Sequence, residues 1–136
     1  MMPVSTQWFD NEHRILEQRF EGDWLWEEAN DALVEAHVLA ASVTHNIILI
    51  CDMSLTNALP KGNVLSPARS SLGQVPANIT QIIFVIQSRL IEVFASLVLE
   101  MVPRWKQHTQ IVKTHEEAQK WAQAAITKQN RGTFQG

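Results

Sequence analysis

What this chain has least of narrows its roles first. Cysteine occurs once, at Cys51, which excludes an internal disulfide and fits a reducing, cytoplasmic setting. The five glycines are scattered and form neither a G-x-G-x-x-G nor a P-loop pattern, so no phosphate cradle is written in the sequence. Positive charge is in short supply: 11 Lys and Arg against 14 Asp and Glu give a formal net charge of −3, which leaves no basic field to hold nucleic acid. His-Glu-x-x-His and Cys/His pairings are missing, so no metal or other cofactor is expected. The opening "MMPVSTQWFD" has neither a basic segment nor an apolar one, and no secretion signal is expected there. The longest apolar stretch, Ile82 to Val102, contains Gln87, Ser88, Arg89 and Glu92. Each charge near the centre of a membrane helix costs about 3 kcal/mol, so this stretch reads as a buried strand running into a helix of a soluble protein, with no membrane span.

What is present is the grammar of an α/β domain. Hydrophobic residues make up 46% of the 136 residues and charged ones 18%, enough for a single domain with a real core. Val4 to Phe9 and Arg14 to Glu21 alternate around the turn tripeptide "DNE" and predict an antiparallel hairpin. In its second strand Leu16, Gln18 and Phe20 face one way, and Ile15, Glu17 and Arg19 the other. Gly22 stops that strand, and Asp23 is placed to cap a helix whose apolar face is Leu25, Ala29, Ala32, Ala36, Leu39 and Val43. "NIILIC" and "ITQIIFVI" are continuous apolar runs, as expected of central strands covered on both faces. Between them "SPARSSLG" predicts a helix with Ser66 as cap, Pro67 first and Gly73 just past its end. A helix from Arg89 to about Trp105, ending near Pro103, a short strand "TQIVKT" and a last helix opened by a Thr114–Glu117 capping box complete the chain, with 128–136 as a loosely held tail. The order β-β-α-β-α-β-α-β-α predicts a mixed five-stranded sheet, antiparallel only at its N-terminal hairpin, with about four helices.

This order and four phrases resemble the SpoIIAA-like family, which shares its β-α superhelix with STAS domains and with lipid-carrying CRAL-TRIO domains. The phrases are "RFEGDWLWEEA", "ILICDMS" followed by "LPKGN", "VPANITQIIFV" and "VKTHEEAQKWA", and they span nearly the whole chain. Asp52-Met53-Ser54 matches the Asp-Leu-Ser that ends the third strand of STAS domains. Where the resemblance implies a phosphorylated serine, this chain reads Leu59-Pro60-Lys61-Gly62, without a hydroxyl, so the phosphorylation switch is expected to be absent.

The candidate site follows from strand ends. In open α/β sheets ligands bind beyond the carboxyl ends of the strands, which puts forward Asp52, Ser54, Asn57, Lys61 and Asn63 around the long 52–64 loop. The plainer alternative is that Asp52 and Ser54 bond to the amides of their own loop and that Leu59 pins it to the core. Cys51 closes an apolar strand and reads as packed rather than nucleophilic. His115 reads as solvated at a helix start, and no two carboxylates are seen to converge. The helix from Arg89 confines its polar residues to Arg89, Glu92, Ser96 and Glu100, leaving an apolar arc wider than a sheet can cover. Leu90, Val93, Phe94, Leu97 and Met101 are therefore candidates for a homodimer interface or a pocket wall. The function expected is a non-enzymatic binding module that holds an apolar small molecule or lipid near the 52–64 loop. Second comes a STAS-like regulatory module acting on a protein partner, and last an enzyme using Asp52.

Overall fold

The computed structural model describes residues 3–135, with side chains for 3–129. Its sheet has five strands in chain order: β1 (Val4–Trp8), β2 (Ile15–Glu21), β3 (Ile47–Leu55), β4 (Ile79–Val85) and β5 (Thr109–Val112). The β1–β2 pair is antiparallel and the others are parallel, as the alternation of helices and buried strands predicted. The hairpin turn closes on Asp10, whose Oδ1 accepts from the backbone amides of Arg14 and Ile15, both at 2.9 Å. A bulge between Arg19 and Glu21 ends the regular register of β2 against β3.

Five helices occur among the described residues: α1 (Trp26–Ala41), α2 (Leu65–Gly73), α3 (Arg89–Met101), α4 (Pro103–Lys106) and α5 (His115–Gln135). The extra helix comes from Pro103. A residue before proline is pushed out of the helical region, and Val102 sits at φ −130, ψ 82, so the helix expected to reach Trp105 stops at Met101. A single turn, α4, follows it.

Helix starts also differ in detail from the expectation. Asp23 caps nothing at α1; the chain remains extended to Leu25, whose amide donates to Glu28 Oε1 at 2.8 Å. Of the apolar face expected here, Ala32 and Ala36 are buried and Ala29, Leu39 and Val43 pack against the core, joined by Leu33 and Ala40, while Leu25 is exposed. At α2 the side chain over the first turn belongs to Asn63, which accepts from the Ser66 amide at 3.5 Å, and Gly73 is the last helical residue rather than the one beyond it. Thr114 does open α5: its Oγ1 accepts from the Glu117 amide at 3.2 Å and donates to Glu117 Oε1 at 3.3 Å. The stretch expected as a loose tail, 128–136, continues α5 through Gln135, and residue 136 lies outside the described residues.

Two cores separate across the sheet. Crossovers that step always to the next parallel strand, all with one hand, deposit their helices on one face. There Leu16, Phe20, Leu49, Met53, Ile82 and Ile86 meet Ala32 and Ala36 of α1, Leu72 of α2, Ile91 of α3 and Trp105 of α4. On the other face α5 alone sets Ala118, Ala122 and Ile126 against Ile15, Ile48, Ile50, Ile83, Val85 and Val112. No helix among the described residues is long and apolar enough to cross a membrane.

Candidate functional site

Strand alternation decides what each face can hold. Along β3, Leu49, Cys51 and Met53 point to the α1–α4 face, while Ile48, Ile50 and Asp52 point to α5. The apolar residues of the first set, with Phe20 from β2 and Ile82 and Phe84 from β4, floor a half-enclosed cavity of about 140 Å³. Helices supply the walls: Ala29 and Leu33 from α1, Ala68 and Leu72 from α2, and Ile91, Phe94, Ala95, Val98 and Leu99 from α3. Trp24 enters from the β2–α1 connection, Trp26 from the start of α1 and Leu59 from the β3–α2 loop, which places these three beyond the carboxyl ends of β2 and β3. A wider hollow of about 450 Å³ beside Ile79, Pro103 and His108 is more open and has a mixed lining.

The wall is aromatic and uncharged. Phe20 meets Trp24, and Trp24 meets Trp26, each edge to face with ring centroids 4.9 Å apart, the arrangement aromatic quadrupoles favour. The polar groups of the floor are committed elsewhere. Gln18 Nε2 donates to Thr6 Oγ1 at 3.4 Å, and Cys51 Sγ lies 3.9 Å from Gln18 Oε1 as its donor. Thr6 Oγ1 in turn donates to the Ala32 carbonyl at 3.0 Å. Burial, and secondarily the charge of Asp52, pushes the Cys51 thiol up to about 12, which keeps it protonated and unreactive near neutral pH. No Asp, Glu, Lys, Arg or His among the described residues lines the cavity.

Of the loop residues singled out from sequence, only Asp52 and Ser54 bond to each other. Asp52 lies on the α5 side of the sheet, away from the apolar cavity. Its Oδ1 accepts from the Ser54 amide at 3.0 Å and from Ser54 Oγ at 2.6 Å, the loop-organising arrangement weighed from the sequence. Asn57, Lys61 and Asn63 are exposed. The loop is tied down by buried Thr56, whose Oγ1 donates to the Gly22 carbonyl at 2.6 Å, and by Leu59 in the cavity wall. Among the α3 residues singled out, Leu90, Val93, Leu97 and Met101 form an exposed stripe, whereas Phe94 is half-buried and lines the cavity.

Sequence reasoning missed a polar group on the α5 face. Glu17, 3% exposed, accepts from His115 Nε2 at 3.1 Å and lies 3.6 Å from Arg19 Nη2. Gln119 Nε2 approaches His115 Nδ1 at 2.8 Å. An amide NH₂ only donates, so with this placement the imidazole proton sits on Nε2 and is given to Glu17. His115 is therefore a half-buried partner of a buried acid, not the solvated residue expected. Glu17, Asp52 and His115 bring ligand-type atoms within 4.8 Å of one another, so two carboxylates do converge. Glu17 and His115 lie 98 residues apart, and only the neighbouring positions of β2 and α5 join them; the one signal in the sequence was the charged pair Glu17 and Arg19 beside Ile15 on one strand face.

Compared with family models, with curated proteins and with solved structures, the chain matches none.

Proposed function

We propose that this chain is a non-enzymatic binding module of SpoIIAA-like type that holds a small apolar molecule between its sheet and α1–α3. The observation that carries the reading is the cavity itself, about 140 Å³, uncharged and framed by Phe20, Trp24, Trp26 and Phe94. An apolar void of about 150 Å³ stays dry and takes a benzene-sized guest, which sets the scale of the occupant: one ring or a short branched chain, with a longer acyl chain needing the cavity to widen. Family kinship rests on the four phrases and their order, with the loop serine of the anti-sigma antagonists replaced by Leu59-Pro60-Lys61-Gly62. Native mass spectrometry of gently purified protein, followed by a denaturing run on the same sample, tests the reading. An added mass that leaves on denaturation is expected. Protein without added mass that also fails to gain thermal stability from toluene would reject it.

A second reading concerns the surface of α3. Leu90, Val93, Leu97 and Met101 are 61%, 44%, 56% and 41% exposed, an apolar stripe beyond the sheet's reach. We propose it as the contact for a second copy or another protein. Sedimentation should then report a dimer that Leu97→Glu dissociates; a monomer at high concentration would argue against self-association.

A further inference from the structure

We propose that the apolar stripe of α3 docks on the same stripe of a second copy, with the two helices antiparallel and Arg89 of each copy paired with Glu100 of the other. This rests on the contact reading of α3 above and narrows it to one partner and one orientation. Leu90, Val93, Leu97 and Met101 run the length of the helix on its outward side, away from the core that takes Ile91 and Val98. Arg89, Ser96 and Glu100, spaced by seven and four, form a polar row along one border of that stripe. The side chains of Arg89 and Glu100 are 84% and 65% exposed, so both project into solvent.

Both charges sit at the wrong end of their own helix. A cation is unfavourable beside the amide end of a helix dipole and an anion beside the carbonyl end, yet Arg89 is the first residue of α3 and Glu100 lies in its last turn. Their partners within the chain, Glu92 at 3.8 Å from Arg89 and Lys106 at 2.9 Å from Glu100, form surface pairs of small weight. An antiparallel second copy reverses both mismatches. It lays Arg89 beside the carbonyl end of the other α3 and Glu100 beside its amide end.

The register follows from the stripe. With the two-fold axis passing between Ala95 and Ser96, Leu90 lies beside Met101 of the second copy and Val93 beside its Leu97. A helix rises about 1.5 Å per residue, which leaves Arg89 and the opposing Glu100 about 3 Å apart along the axis and on the same border. A parallel pair would instead set Arg89 against Arg89 and Glu100 against Glu100. The stripe is thus complementary to itself, which an unrelated partner would not require. The 13 residues of α3 span about 20 Å. One helix face of that length falls short of a standard interface, about 800 Å² per partner, so the dimer should dissociate on dilution.

Cysteine pairs test the orientation. Leu90→Cys and Met101→Cys are prepared separately, mixed at a concentration where sedimentation reports the dimer, and oxidised with copper phenanthroline. A disulfide should join one variant to the other and form within neither alone, because identical positions lie about 16 Å apart along the antiparallel axis, beyond disulfide reach. Wild type, whose one cysteine is the buried Cys51, is the blank. Arg89→Glu should weaken the dimer about tenfold, since it turns two attractions into repulsions. Adding Glu100→Arg to the same chain should recover most of that loss. Each cysteine variant cross-linking to itself would overturn the antiparallel arrangement. A dimer that Leu97→Glu dissociates, but that neither joins the cysteines nor responds to the charge changes, would overturn the register and leave the contact reading standing. Monomer at every concentration would overturn the second copy and leave the stripe to a different protein.

Discussion

The two faces of the sheet solve the same packing problem with opposite results. On the α5 face one helix seals against Ile and Val with alanines: Ala118 and Ala122 are both at 0% exposure, and the small side chains let helix and strands meet closely. On the other face three crossover helices and a long loop converge over Phe20, Trp24, Trp26, Phe84 and Phe94, and large rigid rings leave a hollow between them. Burial is nearly as complete on both sides. Side-chain shape, not hydrophobicity, separates a sealed core from one that keeps a hollow.

The largest effect should come from breaking the sealed face. Ile50→Ala, at a fully buried position under α5, is expected to cost about 2–5 kcal/mol, because that close-packed layer has little means to collapse into the gap. Denaturant midpoints at unchanged slope would measure it. One chemical change placed on both faces then sharpens the contrast. Ala118→Leu should destabilise by about 1–3 kcal/mol through overpacking. Ala95→Leu, directed at the cavity, should be neutral or stabilising by about 0.5–2 kcal/mol. It should also abolish the thermal stabilisation expected from toluene. Equal losses from the two would mean that no usable space exists beside Ala95.

Alkali provides a subtler probe of the cavity floor. The Cys51 thiol is raised to about 12 in the folded chain, so between its ordinary value and that limit the unfolded chain gives up a proton that the folded one keeps. Stability should therefore decline as pH rises above about 9, and Cys51→Ala should lose that part of the slope. An unchanged alkaline profile would show that the thiol is not sealed. The smallest effect belongs to the surface. The hydrogen bond and charge of Lys113 hold the Glu92 carboxyl below the usual carboxylate range. Its contribution is present above the unfolded value and fades as pH falls through the lowered one. Glu92→Gln should flatten only that part of the acid limb, and added salt should mask the difference.

The sequence by itself determined the α/β class, the hairpin, the parallel continuation, the α5 cap at Thr114 and the excess apolar surface of α3. These are all local: period-two and period-3.6 patterns, turn residues and caps act over a few positions and survive in a one-dimensional reading. The break at Pro103 was written locally too, and its misplacement was one of length. What only the tertiary structure decided was which residues meet. Alternation along β3 put Cys51 and Asp52 on opposite faces, so the loop acid and the apolar cavity, adjacent in sequence, belong to different sides of the sheet. Pairing Glu17 with His115 across 98 positions, and gathering Trp24, Trp26 and Phe94 around one cavity, required the sheet to bring distant segments together. Periodicity records which way a side chain faces relative to its neighbours; the partner it faces is fixed by crossovers and strand order, which cost chain entropy to form and leave no mark at either end of the contact.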